Sequence, residues 1–141
     1  MRKQRGFTLI ELLVVISIIG LLSTLAVVAL NNARQKSRDA KRVADIRQTQ
    51  TALELNYNDA NSYPATLTMG TDPIVFGTVT YMAITPSNPS PRNDGGCPNI
   101  EYAYLIKDSG ASYAITYCLG AATGGLSAGT RVATPAGMAN P

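Results

Sequence analysis

A long run of apolar residues near the start of the chain dominates its hydrophobic pattern. From Phe7 to Leu30 the sequence has 24 residues and a single charge, Glu11. As an α-helix this run would measure about 36 Å, against about 30 Å for the hydrocarbon core of a bilayer. It is therefore long enough to span a membrane. A carboxylate inside such a helix costs about 2.5–3.5 kcal/mol on insertion scales, which indicates a functional role for Glu11.

The helical pattern continues after the apolar run. Residues 31–59 contain no proline and no glycine, the two strongest helix breakers. Apolar positions recur at spacings of three and four, with charged residues opposite them. This stripe comprises Ala40, Val43, Ile46, Leu53 and Tyr57, interrupted by Gln50. We predict one helix from about residue 7 to about residue 59, ended by the turn-forming residues 58–64.

Basic residues are concentrated between positions 34 and 47. The segment contains Arg34, Lys36, Arg38, Lys41, Arg42 and Arg47, with Asp39 and Asp45 among them. One interpretation is a patch that binds lipid headgroups or nucleic acid. The other, which we favour, is a solvated helix face with local pairs such as Asp39 with Arg42, and with headgroup contact as a secondary role.

The middle of the chain, residues 65–99, is rich in proline, threonine, serine, asparagine and glycine. Two short apolar stretches within it, at 74–76 and 79–84, read as short strands or as buried loop anchors. The prolines at 86, 89 and 91 and the glycines at 95 and 96 favour an extended connector and a turn. We predict a variable, surface-exposed loop.

Strand-like alternation begins at Ile100. Residues 102–106 and 113–117 both alternate with period two, and Asp108-Ser109-Gly110 lies between them, which predicts a β-hairpin. The glycine-rich residues 120–129 form a loop, and residues 130–134 are a candidate third strand. We expect three or four short antiparallel strands packed on the amphipathic half of the helix, because an isolated hairpin is marginal in water.

Composition narrows the functional classes. The formal net charge is +3, but residues 1–6 contain three of the 12 basic residues, which leaves nine basic and nine acidic residues in the remainder. A bulk electrostatic partner such as nucleic acid is therefore not expected. The chain has no histidine, which excludes Ser-His-Asp triads and His-ligated metal sites within it. No nucleophile or paired-carboxylate signature appears either, so we expect neither an enzyme nor a cofactor.

The two cysteines, Cys97 and Cys118, both lie in the C-terminal part. Behind an export-type N-terminus the expectation is one disulfide, the alternative being two reduced thiols. Closing a loop of about 20 residues would stabilise the domain by roughly 3 kcal/mol. Two cysteines without histidine make a poor zinc site.

Three interpretations compete for the N-terminus. A secretory signal peptide would have a shorter apolar run without a charge near its start. A plain signal-anchor helix leaves Glu11 unexplained. The third is a resemblance: Gly6-Phe7-Thr8-Leu9-Ile10-Glu11-Leu12 after a basic start resembles the processing motif of type IV pilins and type II secretion pseudopilins. In that family the leader is cut after the glycine, the new N-terminal residue is methylated, and a glutamate stands at the fifth mature position.

This resemblance implies an α+β, pilin-like fold in which one long helix packs against a small antiparallel sheet. Its parts would be a cleaved leader (1–6), a transmembrane and filament-core helix (7–30), an amphipathic continuation (31–59) and a C-terminal β-domain (60–141). Residues 33–64 resemble the helix and first loop of major pseudopilins, and the hairpin after Ile100 resembles their terminal hairpin more loosely.

The implied function is that of a structural filament subunit, in a type II secretion pseudopilus or a type IV pilus. The implied partners are further copies in a helical filament, a prepilin peptidase, an assembly platform with its ATPase, and membrane lipid before assembly. The implied location is the inner (cytoplasmic) membrane, single-pass with the C-terminal domain outside, and a surface filament after assembly. An alternative is an adhesive or DNA-uptake pilin that binds through Arg92, Lys107, Arg131 and exposed tyrosines.

The resemblance also assigns roles at the cut site. Cleavage would give Phe7 an α-amine, to be methylated and to pair with Glu11. In the family this pair is thought to join neighbouring subunits, and pairing within one chain is the alternative.

Two departures from the family pattern stand out. The loop at 121–129 lacks the acidic residues that hold calcium in major pseudopilins. Asp94 and Asp108 are the carboxylates that could contribute instead, but we expect no metal site. Val28 replaces a helix-melting proline, which leaves Gly20 as the remaining weak point of the helix.

Overall fold

A computed structural model describes residues 6–139 and begins with a single long helix. Helix α1 spans Leu9–Ala60, 52 residues, in agreement with the predicted helix from about 7 to about 59. It ends where Asn61 adopts a left-handed conformation, with φ of 55°. The Asn61 N–H donates to the Tyr57 carbonyl at 2.8 Å, an arrangement in which asparagine commonly replaces glycine after a helix.

The remaining elements are six short strands and two 3-10 turns. The strands are β1 (Ile74–Phe76), β2 (Val79–Met82), β3 (Ala103–Lys107), β4 (Ser112–Leu119), β5 (Gly129–Thr134) and β6 (Gly137–Ala139). Strands β1 and β2 form a two-stranded antiparallel sheet, and β3-β4-β5-β6 form a four-stranded one in that order. The 3-10 turns are Asp94–Gly96 and Asp108–Gly110, the second of which joins β3 to β4.

The fold class predicted from the sequence is confirmed. The expected hairpin is β3–β4, with Ile106 opposite Tyr113 and Tyr104 opposite Ile115. The candidate third strand is β5, and β6, which the sequence did not indicate, continues the sheet by three residues.

The core lies between the second half of α1 and the four-stranded sheet. Val43, Ile46 and Leu53 on the helix are buried together with Tyr113 and Ile115 of β4. The predicted stripe is thus the buried face, although Ala40 at its start is exposed. The polar member of the stripe, Gln50, donates through Nε2 to the Thr134 carbonyl at 2.8 Å, which satisfies its amide at the edge of the core.

The expectation for residues 65–99 needs correction. Leu67, Met69 and Ile74 are buried in the core cluster, and Thr85 and Asn88 are buried polar residues. The apolar stretches at 74–76 and 79–82 pair as strands, so the segment is a structured layer and not only a surface loop. Strands of three and four residues leave a weak periodic signal, which is why the pattern alone underestimated this region.

The solvated-face interpretation of residues 34–47 is also wrong for part of the segment. Asp39 and Arg42 are 0% exposed, and Asp45 is 8% exposed. Loop residues far along the chain cover these groups and supply their hydrogen-bond partners, which compensates for the lost water. The exposed basic residues that fit the original interpretation are Arg34, Lys36, Lys41 and Arg47.

Candidate functional site: the start of the helix and its carboxylate

The residues that precede α1 form a closed pattern of hydrogen bonds with Glu11. Gly6, Phe7 and Thr8 lie outside the helix. The Thr8 backbone N–H and its hydroxyl both donate to Glu11 Oε2, at 2.8 and 2.7 Å. The Glu11 backbone N–H lies 3.3 Å from Thr8 Oγ1, which accepts from it. Both residues remain exposed to solvent.

This geometry is a capping box, in which the side chains of the cap residue and the third helical residue each satisfy the other's backbone N–H. It gives Glu11 a local role that we did not predict, and it adds Thr8 to the site. The sequence does contain the pattern that predicts this cap, because Thr-x-x-Glu directly before an apolar run is the signature of a capping box.

The sequence-derived site residues at the N-terminus lie next to one another. Phe7 is 85% exposed, and a side-chain carbon added at Gly6 would meet no atom within 4 Å. Such an open backbone suits the approach of a protease. The partner proposed for Glu11, the α-amine of Phe7, exists only after cleavage, so that pairing stays a prediction.

Behind the cap, the first half of α1 is an uncovered apolar rod. Its large side chains, from Leu9 to Leu30, are each about half or more exposed. Within residues 6–139, α1 is the one helix whose length and composition allow it to cross a membrane. The Ser17 hydroxyl donates to the Leu13 carbonyl at 2.8 Å, and the Thr24 hydroxyl to Leu21 at 2.8 Å. These polar groups are therefore satisfied within the helix, as an apolar environment requires.

A second constellation centres on Arg42. Its Nε donates to Asn88 Oδ1 at 2.9 Å, its Nη1 to Asp39 Oδ1 at 2.7 Å, and its Nη2 to the Pro91 carbonyl at 2.9 Å and to Asp94 Oδ2 at 3.1 Å. We call Arg42 and these four partners the Arg42 cluster. It joins α1 to the loop before β3 and compensates for the burial of a guanidinium.

The same region holds the loop after β4. The backbone N–H groups of Gly120 and Ala121 donate to the two carboxylate oxygens of Asp39, at 3.0 and 2.9 Å. A disulfide between Cys97 and Cys118 joins the end of β4, just before this loop, to the loop before β3. A side-chain carbon on Gly95 would lie 2.1 Å from the Gly120 carbonyl oxygen, so the two loops meet only because glycine is present there.

Asp94, one of the two carboxylates that could have contributed to a cation site, is bound to arginines instead. Arg38 donates to its two oxygens at 2.7 and 2.6 Å, and Arg42 adds a third bond. The hydrogen bond with Arg38 is the main reason why the pKa of Asp94 is lowered. Among the residues that the structure describes, no group of three or more His, Cys, Asp or Glu side chains is placed to hold a metal ion.

The basic residues of the alternative binding-module hypothesis are not collected into one surface. Arg92 Nη2 pairs with Glu101 Oε2 at 2.6 Å. Arg131 is 8% exposed and donates to the Ser127 and Ala128 carbonyls. Lys107 is exposed on β3. No observation on these residues favours a nucleic-acid surface.

Comparison with known proteins points to one group. The family model described as "Prokaryotic N-terminal methylation motif" matches residues 1–27. A type II secretion system core protein G from Vibrio cholerae is 38% identical over 98 residues, which cover 68% of this chain and 61% of that protein. The protein of that name from Escherichia coli is 45% identical over 64 residues, covering 45% of this chain and 44% of the relative.

A pilus protein is also similar. The type IV major fimbrial protein FimA of Dichelobacter nodosus is 32% identical over 102 residues, which cover 67% of this chain and 63% of that protein. The matched segments thus span less than two thirds of these relatives. No solved structure matches the chain. The methylation motif and these relatives show that the chain is similar to type IV pilins and type II secretion pseudopilins.

Proposed function

We propose that the chain is a non-catalytic subunit of a helical filament, either a type II secretion pseudopilus or a type IV pilus. It is held before assembly in the inner (cytoplasmic) membrane, single-pass with its C-terminal domain outside, and it joins a surface filament afterwards. The observation that carries this proposal is an uncovered apolar helix that begins directly after the non-helical Gly6-Phe7-Thr8 segment inside the methylation motif.

The proposed processing acts on that non-helical segment. A prepilin peptidase cuts between Gly6 and Phe7 and methylates the new N-terminus. An inner-membrane assembly platform with its ATPase then transfers the subunit from lipid into the filament. The exposed apolar side chains of α1 exchange lipid contacts for contacts with other copies, in which the small residues Ser17, Gly20 and Ser23 allow close approach.

Glu11 has the negative charge that takes part in the transfer of the subunit from lipid into the filament. Its carboxylate is accessible and receives hydrogen bonds from Thr8 alone among the described residues. In surroundings of low dielectric, a carboxylate and an α-amine strongly favour pairing. The proposed step therefore pairs Glu11 of one subunit with the amine of Phe7 on its neighbour, so that docking neutralises both charges.

The relatives named core protein G favour the pseudopilus over the pilus, since they reach higher identity than the fimbrial relative. The two versions share the processing step, so one experiment tests both. The full chain is expressed with a prepilin peptidase and an assembly system, filaments are sheared from the cells, and intact protein is analysed by mass spectrometry.

We expect filament protein that begins at Phe7 and carries one added methyl group. A host without the peptidase serves as the control and should retain full-length, membrane-bound chain. Filaments built from protein with an intact leader would refute the proposed processing.

A further inference from the structure

The unit of residues 35–139 has two surfaces of opposite charge that no contact among the described residues covers. We propose that these surfaces bind each other between two copies of the chain. This inference rests on the proposed filament function and names the contact between its C-terminal domains. The first surface, the groove, lies beside α1 at Arg47. The second, the hairpin surface, consists of the β1–β2 hairpin and Asp59.

The groove is an open recess of about 430 Å³. It is lined by Arg47, Gln50, Gly124, Gly125, Leu126 and Met138, among others. Gly124 and Gly125 have positive φ, 61° and 84°, and present no side chain to the recess. A side-chain carbon on Gly125 would meet no atom within 4 Å, so the floor of the groove is open to an incoming group.

The charge at the groove is positive and uncompensated. Arg47 is exposed, and none of the ion pairs formed within residues 6–139 includes it. Arg38 and Arg42, which lie earlier on the same helix, are by contrast bound to Asp94. Because Arg47 has no such ion pair among the described residues, the groove can accept a partner that brings its own carboxylate.

The hairpin surface is apolar and projects from a sheet of two strands only. Val75, Phe76 and Val79 are 46%, 47% and 48% exposed. Half-exposed large apolar side chains clustered on one hairpin are typical of an interaction surface. Asp59 stands beside them on α1, where it accepts a hydrogen bond from the Tyr81 hydroxyl of β2 and forms no ion pair among the described residues.

The two surfaces fit each other in chemistry. One has an apolar projection flanked by a carboxylate, and the other has an open recess, lined by polar and apolar groups alike, flanked by a guanidinium. Arg47 and Asp59 cannot pair within one chain, because 12 residues of helix separate them by about 18 Å along the axis and about 120° around it. An Arg47–Asp59 pair can therefore form only between two molecules, and the occupant we assign is a second copy of this chain.

Such a contact uses a different patch on each molecule. A heterologous contact of this kind forms a closed ring only if the rotation between successive copies completes a full circle. With any other rotation it propagates as a helical filament. With parallel helices, an Arg47–Asp59 pair sets an axial offset of about 18 Å between the joined copies. The contact thus allows the proposed filament to grow by repeated addition of copies, and it sets the axial offset between them.

Charge exchange tests the pairing in the full chain assembled by its secretion or pilus system. We expect Arg47→Glu and Asp59→Arg each to lower the yield of sheared filaments by about tenfold or more, because each places like charges together. The double variant restores the opposite charges in reversed order, and its yield should return to within about twofold of the wild type. Lys107→Glu, an equal charge change at an exposed residue outside both surfaces, should assemble as the wild type does.

Cross-linking gives a second readout that does not depend on yield. In assembled filaments, Phe76→Cys combined with Met138→Cys should form intermolecular disulfides on mild oxidation, whereas Phe76→Cys combined with Leu105→Cys should not. Equal cross-linking of both pairs, cross-linking to a different protein, or failure of the double charge variant to recover while the wild type assembles would overturn this interface alone. A wild-type chain that forms no filament would overturn the proposed function and the interface together.

Discussion

Two aspartates beside the buried part of α1 have opposite electrostatic environments. Asp94 lies between two guanidinium groups, and the hydrogen bond with Arg38 lowers its pKa. Asp45 is surrounded by protein with a single weak polar contact, the Tyr102 hydroxyl at 3.4 Å, and burial raises its pKa. Ionised Asp94 thus stabilises the folded state, whereas ionised Asp45 destabilises it.

The sign of each shift fixes the pH dependence. A lowered pKa means that the unfolded state binds the proton more tightly, so the stabilisation by Asp94 is present above its unfolded pKa, near 3.8, and is lost as the pH falls through its folded pKa. A raised pKa has the reverse effect. Asp45 therefore costs stability once the pH exceeds its folded pKa.

We predict that Asp94→Asn lowers the free energy of unfolding by about 2 kcal/mol at pH 7, and that the difference from the wild type is lost as the pH falls through the lowered folded pKa of Asp94. Asp45→Asn is the matched control and should be neutral or stabilising at pH 7. Thermal unfolding of the full chain in detergent, measured from pH 2 to pH 7, provides the test. An Asp94→Asn difference that does not depend on pH would contradict the assigned charge interaction.

At the scale of elements, the two loops beside α1 are held by different kinds of cross-link. The disulfide Cys97–Cys118 joins the loop before β3 to the end of β4, where the second loop begins. The Arg42 cluster and Asp39 join both of them to the helix. Both loops are thus bound to α1. Charged residues of the helix hydrogen-bond to loop backbone groups that form no hydrogen bonds within a sheet.

We predict that Arg42→Met destabilises the chain by about 3–5 kcal/mol, because it leaves the buried carboxylate of Asp39 without its cation. Lys36→Met, on an exposed part of the same helix, should change stability by less than about 0.5 kcal/mol. Urea denaturation of both variants in detergent measures the difference. Equal changes in the free energy of unfolding for the two variants would mean that the buried guanidinium of Arg42 stabilises the chain no more than an exposed basic residue of the same helix does.

Elements with a strong period were predictable from the sequence, whereas contacts between distant segments were not. The long apolar run and the 3.6-residue pattern behind it predicted α1 to within about two residues at each end, and period two predicted the β3–β4 hairpin. The burial of Arg42 was missed because its partners Asn88 and Asp94 lie 46 and 52 residues away. Local pattern cannot show which loop will cover a charge. Strand β6, only three residues long, is too short to have a period of its own.

For the whole molecule, the dominant feature is the first half of α1, whose large apolar side chains are exposed to solvent. Apolar area gains about 25 cal/mol for each Å² removed from water, so side chains from Leu9 to Leu30 require lipid or other copies around them. The capped Glu11 at the start of this rod must then satisfy two demands. It completes the first turn of the helix within its own chain, and in the proposed filament it meets a neighbour's amine.

These two roles of Glu11 can be separated by substitution. Glutamine at the third helical position still completes a capping box, whereas valine does not, and neither has a charge. We predict that Glu11→Val and Glu11→Gln are both cut after Gly6 and both fail to enter sheared filaments, because the missing charge cannot pair with the Phe7 amine. Mass spectrometry measures the cut, and the yield of sheared filaments measures assembly. If Glu11→Gln assembles normally while Glu11→Val does not, the cap with Thr8 and not the charge is the feature that assembly requires.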